Sequence, residues 1–355
     1  MNNHPYRLRV TKVSEEVERP LWSVMIPTYN CANYLRETLA NVLAQDFGSD
    51  TMQIMVVDDH SLKDDPEAVV KEIGNDRVEF YRQDTNVGHI KNFQTCLEKA
   101  RGRLIHQLHG DDLVCDDFYK KLTIAFEKHP EIGAAFCRHI IMNEHGNTIH
   151  LSILEHPESG ILPEDWVEKL IGFQRIQTPA MVVRRDVYEE LSGFDTRLKI
   201  GAEDWEMWIR IVSSYPIWYE PEPLAKYRKN SNSLTSNNIR NATVIRDMAQ
   251  MISIIKEENI SGRVTDDLVK HTKQNCAFFA LSNADSLISA DYAYGAINQI
   301  REAVMLRPSF KVIRSAGRII LLDGSRWLWR NLIRKLRGKL QNQTDAEAQN
   351  VKRWR

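Results

Sequence analysis

The sequence predicts an α/β fold: a mostly parallel central sheet flanked by helices, followed by an α-helical C-terminal region. Three observations carry this expectation. Short apolar runs alternate with amphipathic helical stretches through the first 230 or so residues, acidic pairs recur just after predicted strands, and strand signals vanish from about Asn238 onward.

The elements follow in order. Leu21 to Ile26 reads as a buried strand ended by Pro27, and Asn33 as the N-cap of a helix through Ala44 with Leu35, Leu39, Val42 and Leu43 at helical spacing. Gln53 to Val57, Val78 to Arg82 and Leu104 to Leu108 are the next three strands. A helix from His89 to Arg101, ended by Gly102, lies between the last two. After Asp116 a helix aligns Phe118, Leu122 and Phe126. Glu131 to Ile141 returns to strand character, with a hairpin turn expected at Glu144-His145-Gly146-Asn147. Gln177 to Val183 reads as a buried strand, Glu203 to Val212 as a helix with Trp205 and Trp208 on its apolar side, and Pro216, Pro221 and Pro223 as marks of a loop-rich exit. Three helical segments follow, near 240–258, 263–289 and 291–306, and the polar stretch Lys229 to Asn238 reads as the domain boundary.

The chain has 355 residues, enough for two domains or one domain with an appendage. Its net charge of −1, from 47 basic and 48 acidic side chains, gives no ground for a nucleic-acid partner. No apolar run approaches the roughly 18 residues of a membrane span, and Met1 to Pro20 lacks a signal-like segment, so the expectation is a cytoplasmic protein. Five scattered cysteines without a Cys-x-x-Cys pair support neither a zinc ribbon nor a disulfide framework.

Acidic residues gather where open α/β sheets place ligand contacts: Asp58-Asp59 after the second strand, Asp111-Asp112 after the fourth, and Glu203-Asp204 at the start of the Trp-rich helix. Parallel strands bring such positions to one edge. Hard divalent cations take one or two carboxylates together with substrate phosphates, and Gly110 beside Asp111 permits close approach. Each pair alone also has a plain reading as a turn or helix cap. Pro27-Thr28-Tyr29-Asn30 stands where a Gly-rich phosphate loop would follow the first strand, which disfavours dinucleotide oxidoreductases, P-loop enzymes and nucleotidyltransferases.

Together, Ser23-Val24-Met25-Ile26-Pro27-Thr28-Tyr29-Asn30, Val56-Val57-Asp58-Asp59-His60-Ser61, Asn86-Val87-Gly88, Gly110-Asp111-Asp112, Gly193-Phe194-Asp195 and Glu203-Asp204-Trp205 resemble family 2 glycosyltransferases of GT-A fold, across about residues 21–230. The resemblance implies an inverting transfer of a sugar from a nucleotide-diphosphate sugar to a hydroxyl of a glycan or lipid-linked acceptor. It implies that Tyr29 stacks on the base, that Asp58 and Asp59 bind base and ribose, and that Pro27, Asn86, Gly88, His109, Gly110 and Asp112 complete the donor site. It further implies that Asp111 binds Mn2+ or Mg2+ and that Asp204 is the general base. The alternative is a non-catalytic sugar-nucleotide-binding or scaffolding relative. Two positions depart from the family pattern. His109 occupies a place often held by Asp, where it either meets ribose or metal or is simply packed, and Asn230 replaces a His. Trp166, Phe173 and Gln177 are expected on the acceptor side.

Residues 311–340 form a basic amphipathic stretch in which Lys311, Arg314, Arg318, Arg326, Arg330, Arg334, Lys335, Arg337 and Lys339 are interleaved with Ile, Leu and Trp. This suits a helix on an anionic membrane surface at the inner face, or a terminal helix packed on its own protein. The expected organisation is an N-terminal extension (1–20), the GT-A domain (21–235), a helical domain (236–310), the basic helix (311–340) and a polar tail (341–355).

Overall fold

A computed structural model of the chain describes residues 4–14, 18–230, 238–260 and 262–323. It divides into two compact units, Met1–Ser233 with Gln250–Val269, and Leu234–Ala249 with Lys270–Arg355. The expected boundary stretch, for the most part, and the basic segment after Asp323 lie outside the described residues.

The first unit is built on one mixed sheet. Strands β1 (Trp22–Thr28), β2 (Met52–Asp58), β3 (Glu79–Arg82) and β4 (Leu104–Gln107) run parallel in the order β3-β2-β1-β4. Beyond β4 come β9 (Met181–Arg184), antiparallel to it, then β6 (Ala134–Met142), β10 (Ile217–Arg228) and the short β5 (Leu113–Val114). Strand β7 (Thr148–Leu151) pairs with β6 through the expected hairpin, and β8 (Gly160–Ile161) with β10. Every residue of β1 and β2 is buried, as both faces of a helix-covered sheet require. Helices α1 (Ala32–Leu43) and α4 (Phe118–Lys128) cover one face, contributing Leu35, Leu39, Val42, Phe118 and Leu122 to a core with Val24, Ile26, Ile54 and Val56.

Local chemistry sets the boundaries, in places against expectation. Helix α1 starts at Ala32 rather than after Asn33. Its N-terminus is held by Asp64, which accepts the Ala32 N–H at 2.8 Å, while the Asn33 side chain makes no cap. An unanticipated α2 (Pro66–Gly74) is capped by Asp65, which accepts from Ala68 N at 3.1 Å, with Pro66 in its first turn. Thr178–Ala180 is a 3-10 turn, so the strand expected from Gln177 begins only at Met181. The largest correction concerns the loop-rich exit: it is the 12-residue strand β10. Pro221 and Pro223 fall where its register with β6 slips, the positions at which a missing N–H costs no ladder bond.

Helix α3 (His89–Lys99) ends at a C-cap on Ala100, and Gly102 serves a different purpose from the expected stop. A Cβ there would lie 2.4 Å from the Trp22 carbonyl carbon and 2.5 Å from Ser23 N, so only glycine lets the entry to β4 cross β1. Beside it, Ser23 Oγ accepts the N–H groups of Arg101 and Gly102 at 3.0 and 2.7 Å. Helices α5 (Trp166–Gly172), α6 (Arg185–Leu191) and α7 (Glu203–Ser214) also belong to this unit, and Trp205 and Trp208 are core residues, each 1% exposed.

The second unit holds most of α9 (Asp266–Ser289), then α10 (Ala293–Leu306) and α11 (Phe310–Arg318), while α8 (Thr243–Glu258) spans the division. Ala284, Leu287, Ile288 and Ala296 form its small core. No helix of the described residues is long and apolar enough to cross a membrane. Gly102→Ala is expected to lower stability by about 1–3 kcal/mol through backbone overpacking, read as a lower urea midpoint at unchanged slope.

Candidate active site at the C-terminal edge of the sheet

The parallel strands deliver their ends to one edge, and the acidic loops meet there. Asp59 N–H bonds to Thr28 O at 2.9 Å, continuing the β1–β2 ladder, and Gly110 N–H bonds to Pro27 O at 3.1 Å, tying the β4 exit to the same strand. Gly110 packs closely at this contact, because a Cβ would lie 3.1 Å from both Cys31 Sγ and Thr28 Oγ1, so those side chains would have to give way.

The two carboxylates after β2 do different work. Asp58, fully buried, accepts Ser61 N–H at 3.1 Å and Ser61 Oγ at 2.5 Å, with Arg82 Nε at 3.5 Å, and so builds the turn after its strand. Asp59 reaches across to accept the N–H groups of Val87 at 2.7 Å and Gly88 at 3.1 Å. The Asn86-Val87-Gly88 loop is thereby fixed, with Asn86 Nδ2 donating back to Asp59 O and Gly88 at a positive φ of 83°. Tyr29 stands just past the end of β1 and is 49% exposed.

After β4, Asp111 and Asp112 form a turn cross-braced by Thr38, whose Oγ1 donates to Gly110 O at 3.2 Å and Asp112 O at 2.9 Å. Arg228, at the C-terminal end of β10 and only 2% exposed, is the main brace. Its backbone N–H bonds to Asp112 Oδ1 at 2.8 Å, its Nε donates to Asp111 O at 2.8 Å, and its guanidinium reaches Glu37 at 2.7 Å while lying over the Tyr34 ring. Burial raises the Asp111 carboxyl to about 6 against the pull of Arg228, and burial with the Asp111 charge carries Asp112 well above the usual range. Asp112 Oδ2 and His109 Nε2 are buried without a hydrogen-bond partner. His109 stacks on Phe93 at 5.0 Å, and burial holds it down to about 4, so it is a neutral, packed ring at pH 7.

Asp204 reaches the same edge by a different route. Because β9 runs antiparallel to β4, the 3-10 turn before it sits at the C-terminal edge of β4, where Pro179 O bonds to His106 Nε2 at 3.0 Å. Thr178 in that turn donates to Asp204 Oδ2 at 3.3 Å. Burial, joined by the neighbouring Glu203 charge, raises Asp204 to about 7, against the pull of the Trp205 N–H. The geometry thus joins the β1, β2, β4, 3-10 and α7 ends, with Asn230 just past β10.

Two expected contributors are placed elsewhere. Trp166 is 1% exposed, donates to Glu155 and packs on Phe136, so it belongs to the core and cannot touch an acceptor; Phe173 is partly exposed. Asp195 is held by Arg197 and Arg7, and Gly193 bonds to Leu8 O, so the Gly193-Phe194-Asp195 run docks the N-terminal segment. His4, Asp195 and Glu258 lie close enough to share a cation, but Arg7 and Arg197 already supply the counter-charge. Arg228 falls in the Tyr227-Arg228-Lys229-Asn230 run that the sequence sets against the family pattern, but the sequence assigns its side chain no role; the structure makes it a brace of the Asp111-Asp112 turn.

Residues 23–192 match the family model described as glycosyl transferase family 2. An uncharacterised glycosyltransferase of Haemophilus influenzae is 25% identical over 252 residues, spanning 68% of this chain and 74% of its own. One from Methanocaldococcus jannaschii is 28% identical over 220 residues, spanning 60% and 72%. Among solved structures, S. aureus TarS 1–349 in complex with UDP-GlcNAc matches with TM-score 0.55 at 15% identity, covering 80% of this chain and 91% of that one. The mannosyltransferase PcManGT from Pyrobaculum calidifontis, in complex with GDP-Man and Mn2+, matches with TM-score 0.52 at 17% identity, covering 91% and 86%. The structural likenesses carry the GT-A fold. With the family match over residues 23–192 and the named relatives, they support a glycosyltransferase similar to those of family 2.

Proposed function

We propose that this glycosyltransferase moves a sugar from a nucleotide-diphosphate sugar to a hydroxyl of a glycan or lipid-linked acceptor with inversion at the anomeric carbon. The observation that carries this reading is the meeting, at one sheet edge, of an exposed aromatic, a fixed glycine loop, the Asp111-Asp112 pair and a separate aspartate raised to about 7. Tyr29 stacks on the donor base. Asp59 shapes the ribose side through the Asn86–Gly88 loop, Asp58 acts through the Ser61 turn, and Pro27 and Gly110 let the diphosphate approach the backbone.

The Asp111-Asp112 turn fits a divalent cation such as Mn2+ or Mg2+. Asp111 offers a half-buried carboxylate, and the buried Asp112 Oδ2 accepts no hydrogen bond among the described residues, with His109 Nδ1 3.7 Å away. One or two carboxylates plus substrate phosphates are the usual ligand set for such ions. When bound, the ion supplies charge stabilisation to the leaving diphosphate. Asp111 and Asp112 would hold it, and Arg228 keeps their turn in place. His109, neutral and unpartnered at Nε2, faces the donor as a hydrogen-bonding group.

Asp204 accepts the proton of the acceptor hydroxyl as that oxygen attacks the anomeric carbon from the face opposite the leaving group. A proton affinity near the working pH is what a general base needs.

Residues 311–340 serve as the contact with an anionic membrane surface, which places the enzyme beside lipid-linked acceptors. In the described part, α11 and the turn after it expose Phe310, Ile313, Ile320 and Leu321 next to Lys311, Arg314 and Arg318, while Val312 and Ala316 are buried. Apolar side chains beside cations, outside the packed face, fit a helix lying in a lipid interface.

Asp204→Asn is expected to cut turnover by about 10²- to 10⁴-fold while calorimetric donor binding stays unchanged, and wild-type turnover is expected to fall as pH drops through about 7. Equal turnover of the variant would remove the base assignment. Asp111→Ala should abolish the divalent-cation dependence of nucleotide-sugar binding in calorimetry. Co-sedimentation should retain the chain on phosphatidylglycerol vesicles and not on phosphatidylcholine, with the binding lost in high salt; equal retention on both counts against the membrane reading.

A further inference from the structure

A hydrogen bond joins the loop on the donor side to the helix that carries Asp204. His89 is the first residue of α3 and directly follows the Asn86-Val87-Gly88 loop that Asp59 pins. Its Nε2 lies 3.1 Å from Glu203 Oε1, in the first turn of α7. The other carboxylate oxygen of Glu203 accepts the Ala202 N–H at 3.0 Å, so both oxygens are engaged. Phe93 meets the His89 ring edge-on at 5.4 Å and stacks on His109 at 5.0 Å, which limits the freedom of both imidazoles.

Glu203 and Asp204 are consecutive carboxylates at a buried helix N-terminus. Like charges so placed cannot both ionise freely, and whichever has the better counter-group keeps its charge. The structure gives the counter-group to Glu203. We propose that His89 is a positioning residue for sugar transfer: it clamps Glu203 as the permanently charged member of the pair, which makes Asp204 the member that exchanges a proton. This rests on the reading of Asp204 as the base.

Several groups among the described residues face the pair. Glu203 sees His89 from α3 and His109 from the β4 exit, and Asp59 faces His89 from the end of β2. Asp204 sees Glu203, the Trp205 N–H and the Thr178 hydroxyl. Burial alone would raise Glu203, yet the hydrogen bond and charge of His89 hold it below the usual carboxylate range. Burial and the Glu203 charge together raise Asp204. Without His89, Glu203 takes up a proton more readily, its charge beside Asp204 is lost, and Asp204 becomes a weaker base that titrates at lower pH.

Infrared titration of the full-length protein tests this directly. The stretch of a protonated buried carboxyl that disappears in Asp204→Asn reports Asp204 alone. In wild type its midpoint should lie near pH 7. In His89→Phe and in Glu203→Gln it should fall by about one pH unit or more, and the double variant should fall no further than either alone. His89→Gln, which can still donate to Glu203, should restore most of the wild-type midpoint. An unchanged midpoint in folded His89→Phe, or additive shifts in the double variant, overturns the proposal. If the midpoints move as expected while Asp204→Asn turns over like wild type, the clamp stands and the base assignment fails.

Discussion

The site depends on a buried guanidinium. Arg228 holds the Asp111-Asp112 turn by a side-chain bond to one carbonyl and a backbone bond to one carboxylate, and it ties that turn to α1 through Glu37 and to the β6–β7 hairpin through the Glu144 carbonyl. Four parts of the chain that are distant in sequence therefore share one cation. Removing one partner from such a buried cluster leaves the others uncompensated, which costs about 3–5 kcal/mol where it has been measured. The same cation stabilises negative charge on Asp111 in a place where burial opposes it. A cluster of acids can persist in a dry cleft because this arginine stands behind it.

Much of the architecture was legible because burial imposes pattern. Strands covered on both faces must be continuously apolar, and β1 and β2 are; helices lying on a sheet must be amphipathic, and α1, α3 and α4 are. The failures came where tertiary contacts replaced local signals. Asp64, more than thirty residues away, supplies the cap that Asn33 was expected to give. Prolines hid β10 because their effect depends on register with β6, which no local window contains.

The site was legible as residue types and not as roles. Asp58, Asp59, Asp111 and Asp204 do gather at one edge, but only coordinates distinguish an aspartate that ties two loops together from one whose proton affinity burial raises. The His89–Glu203 bond joins residues 114 apart in the chain, and nothing in either neighbourhood announces it.

One buried group bears on how the fold and the chemistry respond to acid. His106, in the middle of β4, is fully buried between the Tyr119 hydroxyl and the Pro179 carbonyl, and burial lowers it to about 4 from 6.5. Its folded value is depressed, so its contribution to stability is present above 6.5 and is lost as pH falls through 4. Asp204 runs the other way: its folded value is raised to about 7, so its contribution is present below 3.8 and is lost as pH rises through 7. Across the window in which Asp204 loses its capacity to take a proton, the histidine and the aspartate exert opposed pulls on the folding equilibrium. On the proposed reading of Asp204 as the base, acidification silences the site while the sheet that carries it stays intact, a reversible loss of turnover separated in pH from unfolding.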